Sequence, residues 1–343
     1  MLNRADDALL MREALRLAQL GPAVDANPRV GAVVSDAAGQ VVGCGYHRGA
    51  GTDHAEVMAL AQAGPAAVGG TVVVTLEPCN HTGRTGPCAE ALMAAGVARV
   101  VFAQSDPHRV AAGGASRLRA AGVRVEGGLL AEEAALLNVA WSFAVTHGRP
   151  RVVWKFAGTL DGRSAAKDGT SQWITGPLAR ADVHRQRAEA GAILVGTGTV
   201  IADNPRLTVR DDAGAVTGSQ PLRVVVGRRP IPPAAHLLDD DAATLHLRTH
   251  DPTAVLSALM NRGIRQVWLE GGPTLAAAFL TAGLVDEVVA YLAPTLLGAG
   301  RPAVADLGIS TLEDAVHLRP YDTTFFGLDL RVRAILDSNR KVA

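Results

Sequence analysis

Apolar positions fall along this chain in two rhythms, one with a helical period and one in short runs bounded by turn residues. Met11, Ala14, Leu15 and Ala18 recur at helical spacing, with Asp6 and Asp7 near the start, where acids favour the helix dipole. Residues 30–35 and 40–46 read as two strands joined through Ala37-Ala38-Gly39, a hairpin. Residues 53–63 predict a helix ended near Gly64-Pro65, and residues 71–76 a buried strand. A loop rich in glycine, histidine and threonine follows. Pro87 then opens a helix closed by Gly96, and residues 99–104 form the next strand. Strand, helix and strand in that order predict parallel pairing, with helices packed on the sheet.

Residues 146–150 contain Gly148, Arg149 and Pro150 and read as a linker, after which the alternation restarts. Strands are expected at 152–156, 192–195, 222–226, 244–247, 266–269 and 287–292, with helices around 177–190, 252–262 and 273–282. The segment 211–220 reads as a mobile polar loop. The pattern therefore predicts two α/β domains, 1–147 and 148–343, a division that suits the length of 343 residues.

Composition narrows the class. Hydrophobic residues make up 48% and charged residues 19%, enough for sizeable cores. Lysine plus arginine and aspartate plus glutamate number 33 each, so the formal net charge is zero and the basic excess of a nucleic-acid-wrapping protein is missing. Charges interrupt the first twenty residues, which argues against a secretory signal, and no run reaches the ~18 apolar residues of a membrane span. The three cysteines, Cys44, Cys79 and Cys88, are too few and odd in number for a disulfide framework, so a reducing, cytoplasmic setting is expected.

Candidate chemistry gathers around two of those cysteines. His54-Ala55-Glu56 opens one predicted helix, Glu77-Pro78-Cys79 ends a strand, and Pro87-Cys88 opens another helix. One imidazole and two thiolates make a three-ligand set that leaves a tetrahedral zinc one open position for water. His54 and Cys88 fall at helix N-termini, where the dipole favours a thiolate. Glu56, two residues from His54, is placed to shuttle protons between water, ring and leaving amine. The order His-x-Glu, then Pro-Cys and a second Cys, is the signature of zinc nucleobase deaminases, here with a wider gap between the cysteines. Cys44, in Gly43-Cys44-Gly45, reads as a small core residue.

With Asn27-Pro28-Arg29-Val30-Gly31-Ala32, His54-Ala55-Glu56 and the run from Glu77 to Cys88, filled by His81-Thr82-Gly83-Arg84-Thr85, the chain resembles the bifunctional riboflavin-biosynthesis deaminase–reductase family. The likeness continues in Lys155-Phe156-Ala157-Gly158-Thr159-Leu160-Asp161-Gly162, Ser171-Gln172-Trp173-Ile174-Thr175-Gly176, Gly196-Thr197-Gly198-Thr199-Val200, Asp203-Asn204-Pro205 and Glu270-Gly271-Gly272-Pro273-Thr274-Leu275. It covers nearly the whole chain, to about Leu336.

The resemblance implies an N-terminal cytidine-deaminase-like three-layer domain and a C-terminal dihydrofolate-reductase-like domain. The first would remove the 2-amine of 2,5-diamino-6-(5-phosphoribosylamino)pyrimidin-4-one with zinc. The second would reduce the ribosyl group to ribityl with NADPH. A small-molecule substrate and a homo-oligomer, dimer or tetramer, are expected, with neither nucleic acid nor membrane as partner. By position, His54, Cys79 and Cys88 would hold zinc and Glu56 would move protons. Asn27, His81, Arg84 and Thr85 would line the pyrimidine pocket. His108 stands where the family more often has asparagine.

In the second domain, Lys155 and Glu270, at predicted strand ends, are candidates to assist ring opening and protonation. Ala157, Trp173, Thr199, Asp203 and the turn Gly272, Pro273, Thr274, Leu275, Ala276, Ala277 and Ala278 would contact NADPH. The backbone amides of that turn suit a pyrophosphate. Ser171, Arg187, Leu207, Arg210 and Glu270 map to substrate positions, and the two arginines suit a phosphate. Gly227-Arg228 replaces the family's usual Asp-Ser, so Arg228 or Arg229 is expected to read the 2′-phosphate of NADPH. The competing readings are a deaminase of another base or nucleoside with an inactive second domain, and a non-catalytic nucleotide-binding protein.

Overall fold

The computed structural model describes residues 4–81, 86–108 and 110–337, and the chain divides into two compact units, residues 1–148 and 149–343. In chain order the first holds α1 (Arg4–Ala18), β1 (Gly31–Ser35), β2 (Val41–Tyr46), α2 (Ala55–Ala63), β3 (Thr71–Leu76), α3 (Cys88–Ala94), β4 (Arg99–Gln104), α4 (Gly114–Ala120), β5 (Arg124–Gly127), α5 (Ala131–Leu137) and α6 (Val139–His147). Its sheet runs β2-β1-β3-β4-β5. The β1–β2 hairpin is antiparallel and β3, β4 and β5 are parallel, as the strand–helix–strand order predicts.

Alternation along the strands makes this unit three layers thick. Val72 and Val74 face α2, α3 and α4, packing with Ala59, Leu92 and Leu118. Val73 points the other way, into a core with Met11, Ala14 and Leu15 of α1 and Ala134 of α5. The seat of α2 depends on two missing side chains. A Cβ on Gly43 would lie 2.2 Å from the Ala59 carbonyl oxygen, and one on Gly45 2.3 Å from that of Ala55. Only glycine lets α2 approach β2 so closely. Cys44 between them is half-buried, its amide donating to Gln62 Oε1 at 2.8 Å.

The second unit holds β6 (Arg151–Thr159), β7 (Arg163–Ala165), α7 (Pro177–Ala188), β8 (Ala192–Gly196), α8 (Thr197–Asp203), β9 (Leu222–Val226), β10 (Thr244–Leu247), α9 (Pro252–Met260), β11 (Gln266–Leu269), α10 (Pro273–Thr281), β12 (Glu287–Ala293), β13 (Arg301–Pro302), β14 (Leu318–Phe326) and β15 (Asp329–Leu336). Eight strands run in the order β10-β9-β8-β11-β6-β12-β15-β14, parallel from β10 to β12 and antiparallel beyond. Leu194 and Val224 face α9 and α10, whereas Ile193 and Val225 face α7 and α8. Covered faces explain the near-continuous apolar runs of these strands.

One expectation changes. Thr146 and His147 belong to α6, capped by Gly148 at φ 67°, so the connection before β6 is only Gly148-Arg149-Pro150. Segment 211–220 is an exposed loop with no named helix or strand, anchored at its end by Gln220, which accepts from the Val209 amide at 2.8 Å and donates to the Thr217 carbonyl at 2.7 Å. No helix among the described residues is long and apolar enough to cross a membrane.

Candidate functional site

In the first unit, β3, α2 and α3 converge at one point. His54 caps the N-terminus of α2, Cys88 is the first residue of α3, and Cys79 lies just beyond β3. His54 Nδ1 stands 3.1 Å from Cys88 Sγ and 3.6 Å from Cys79 Sγ, and the three donor atoms all lie within 4.8 Å of one another. Bond lengths of about 2.3 Å to sulfur and 2.0–2.1 Å to nitrogen put the N···S edge of a tetrahedral zinc site near ~3.5 Å, a value these separations bracket. Both cysteines are buried and neither is in a disulfide. The Cys88 amide donates to Cys79 Sγ at 3.3 Å. Contact with Cys88, then with His54, pulls the Cys79 thiol well below its ordinary value despite burial, whereas the same partnership and burial push Cys88 up. Two thiols competing for one proton beside an imidazole suit a cation that ionises both.

Glu56 lies one residue into α2 and is 4% exposed. Burial raises its carboxyl against the opposing pull of His54, so it holds a proton more readily than a solvated glutamate. Asn27 Nδ2 is 3.1 Å from His47 Nε2, and the His47 ring meets His54 edge-on at 5.5 Å. His81 Nδ1 is buried without a partner among the described residues. Arg84 and Thr85 lie outside the described residues. His108 sits in the loop after β4, its amide donating to Asp106 at 2.8 Å.

Two anchoring residues escape sequence reasoning. His47 is buried between Asn27 and the Asp53 carbonyl, 3.1 Å from its Nδ1, and no spacing rule marks it. Glu77, read only as part of the Glu-Pro-Cys run, accepts the amides of Asp106, Gly113 and Ala115 at 3.1–3.3 Å. It thereby ties the loop after β4 to the Cys79 turn.

In the second unit Glu270 follows β11, as expected of a strand-end residue, whereas Lys155 lies midway along β6, because that strand runs on to Thr159, and Arg187 lies in the last turn of α7. Arg187 and Glu270 form a bidentate pair at 2.6 and 2.8 Å, both largely buried. Arg187 Nη1 also donates to the Thr208 carbonyl at 2.9 Å, and Trp268 Nε1 to Glu270 at 2.7 Å. The guanidinium fork of Arg187 is therefore engaged by a carboxylate rather than open to a phosphate. Arg210 is freer: its Nε meets Thr208 Oγ1 at 2.9 Å, and its amide donates to His184 Nδ1 at 3.3 Å. Burial opposes ionisation of Glu270, yet Arg187, Lys155 and Trp268 hold its carboxyl at about 2. Burial lowers Lys155, with Glu270 opposing. Leu207 is buried and left-handed at φ 53°, which costs a non-glycine residue about 1–2 kcal/mol, and strain of this kind clusters at binding sites. Sequence reasoning did not find Trp268 or His184, since nothing local links them to positions far along the chain.

Thr199 Oγ1 accepts the Gly272 amide at 3.1 Å, joining the start of α8 to that of α10. A Cβ on Gly271 would meet Leu275 Cβ at 2.9 Å and one on Gly272 would meet Thr199 Oγ1 at 3.2 Å, so a side chain at either position would press on its neighbours. The Thr274 amide, in the first turn of α10, has no intrahelical acceptor. Ala276 and Ala277 are buried, Ala276 in the core against the sheet, which leaves the cradle to Gly272–Leu275. Ala157 is half-buried, Ser171 lies partly open, and Asp203 is exposed at the end of α8. Exposed Trp173 lies under Arg180 at 4.5 Å. Arg228 and Arg229 are exposed beyond β9.

A family model described as the RibD C-terminal domain matches residues 150–330. The chain belongs to the RibD family. A second model, the cytidine and deoxycytidylate deaminase zinc-binding region, matches residues 4–104. The riboflavin biosynthesis protein RibD of Mycobacterium tuberculosis is 54% identical over 291 residues, covering 84% of this chain and 85% of that one. The Escherichia coli K12 protein of the same name is 40% identical over 94% of this chain and 98% of its own. Among solved structures, Acinetobacter baumannii RibD is 38% identical with a TM-score of 0.87, covering 97% of this chain and 99% of that one. A Thermotoga maritima diaminohydroxyphosphoribosylaminopyrimidine deaminase/5-amino-6-(5-phosphoribosylamino)uracil reductase reaches 31% and 0.87 over the same shares. The two α/β units are thus a cytidine-deaminase-like and a dihydrofolate-reductase-like domain.

Proposed function

We propose that this chain is a bifunctional enzyme of riboflavin biosynthesis. Its first domain, assigned to residues 1–147, deaminates 2,5-diamino-6-(5-phosphoribosylamino)pyrimidin-4-one. Its second, residues 148–343, reduces the ribosyl group to ribityl, giving 5-amino-6-(5-phosphoribitylamino)uracil. The observation that carries the reading is the buried His54, Cys79 and Cys88 cluster, with Glu56 beside it, in a chain of this family.

When bound, zinc supplies Lewis acidity that makes water ionisable near neutral pH, and NADPH supplies the hydride. His54, Cys79 and Cys88 would hold the metal. Glu56 would take a proton from water on its carboxylate and return it to the ring and the departing amine. Asn27 and His81, with Arg84 and Thr85, would orient the pyrimidine; His81 Nδ1, buried with no partner among the described residues, supports that role.

In the second domain Lys155 is the better proton source. Burial weakens its hold on a proton, whereas Glu270 at about 2 has none to give at neutral pH. Glu270 would orient Lys155 and accept a substrate hydroxyl. Arg210 with Ser171 and Leu207 would meet the phosphoribosyl end, and Arg187 would act through Glu270. Ala157, Trp173, Thr199 and Asp203 would flank NADPH, Gly272, Pro273, Thr274 and Leu275 would cradle its pyrophosphate, and Arg228 or Arg229 would read its 2′-phosphate.

A cytoplasmic homo-oligomer acting on small molecules, with no nucleic-acid or membrane partner, completes the reading. The unbridged cysteines and the balanced charge support it. Incubation with the diaminopyrimidine phosphoribosyl substrate tests both halves: ammonia is released without NADPH, and NADPH is then consumed. Absence of both signals overturns the assignment.

A further inference from the structure

We propose that Arg248, just beyond β10, joins Arg228 and Arg229, just beyond β9, in binding the 2′-phosphate of NADPH, and so sets the preference for NADPH over NADH. This deepens the NADPH reading above and rests on it. Open α/β sheets take nucleotides outside the carboxyl ends of their strands. β10, β9, β8 and β11 are neighbours in that order and all parallel, so their carboxyl ends form one shelf. The Gly272 turn ends β11, and α8 follows β8. Gly198, in the first turn of α8, is exposed, and a Cβ there would lie 3.0 Å from Arg229 Nη2. The Arg229 guanidinium therefore already reaches back along the shelf toward the pyrophosphate cradle.

β9 ends two strand spacings from β11, roughly 10 Å. With the pyrophosphate on the β11 turn, the adenosine end of an extended dinucleotide lies in that direction. Leu247 pairs with Val226, and the Gly227 amide donates to the Leu247 carbonyl at 3.0 Å, so Arg248 emerges beside Gly227-Arg228.

The backbone carrying these arginines is held while their side chains are not. His246 Nε2 binds the Gly227 carbonyl at 2.8 Å, and Gly227, at φ 131°, packs so that a Cβ would lie 2.7 Å from Thr197 Oγ1. After β10, the Thr249 amide donates to the Leu247 carbonyl at 2.9 Å and the Asp251 amide to Thr249 Oγ1 at 3.0 Å. Arg228, Arg229 and Arg248 are exposed, and none makes a hydrogen bond or ion pair with a described residue. Residues 227–235 contain no acid, and Asp251 is occupied in capping α9 through the Thr253 amide at 2.9 Å. Three unengaged guanidinium forks on a fixed frame, in a chain of zero formal charge, suit a near-dianionic phosphate monoester.

Calorimetric Kd values for NADPH and NADH on the full-length protein test this. Arg248→Ala should raise the NADPH Kd about tenfold and leave that of NADH unchanged. Arg248→Lys, keeping the charge without the fork, should fall between. Arg262→Ala, two residues past α9 and so toward the amino ends of the strands, should alter neither. An unchanged NADPH-to-NADH ratio in Arg248→Ala, or an equal loss in Arg262→Ala, overturns the proposal while NADPH binding stands. Failure of the unaltered protein to bind either nucleotide overturns the NADPH reading and the proposal with it.

Discussion

The two domains place their chemistry in opposite ways. In the first, three donor atoms converge within 4.8 Å of one another, because His54 and Cys88 stand at helix starts and Cys79 lies just beyond β3. In the second, the polar groups lie along a shelf of strand ends, and the bidentate pair there, Arg187 with Glu270, joins two protein groups. A metal site needs its ligands converged within a few ångströms. A dinucleotide needs a long surface with a few fixed contacts. The first domain should therefore fail all at once when one ligand is lost, and the second by degrees.

Cys88→Ala makes that contrast sharpest. The variant should retain no stoichiometric zinc and release ammonia only at background, while NADPH binding by the second domain persists; zinc analysis beside nucleotide titration reads both. Lys155→Met should lower single-turnover reduction by about 10²–10⁴-fold, the usual range for a lost general acid, with little change in NADPH Kd.

Glu270→Gln leaves the Arg187 charge buried without its carboxylate and should destabilise the second domain by about 3 kcal/mol, measured by denaturant unfolding. The carboxyl is held at about 2, below the ordinary 4.5. A lowered carboxyl contributes its stability in full above the unfolded value and loses it as pH falls toward the folded one. The gap between Glu270→Gln and the unaltered protein should therefore be widest at neutral pH and close between pH 4.5 and about 2.

The same contrast explains what was legible in the sequence. The zinc cluster is read from three short runs, because helix starts and strand ends fix where His54, Cys79 and Cys88 point. Central strands such as β3, β4, β9 and β11 were legible because both faces are covered and each carries a run of consecutive apolar residues. β14 and β15 were not, since β14 is an edge strand with exposed residues such as Phe325 and shows no apolar run. From α4 to α6, short alanine-rich helices gave no clear period, and the linker was drawn two residues too early. The Arg187–Glu270 pair joins residues 83 apart, and His47 meets Asn27 across 20, so both are products of the assembled fold.

Deamination as proposed turns on Glu56 acting on a proton beside a bound metal. Zinc content and ammonia release, measured together on Glu56→Gln without NADPH, test it most directly. One zinc per chain with ammonia release reduced by at least about 10²-fold is the predicted result. Ammonia release at the unaltered rate from that variant would contradict it.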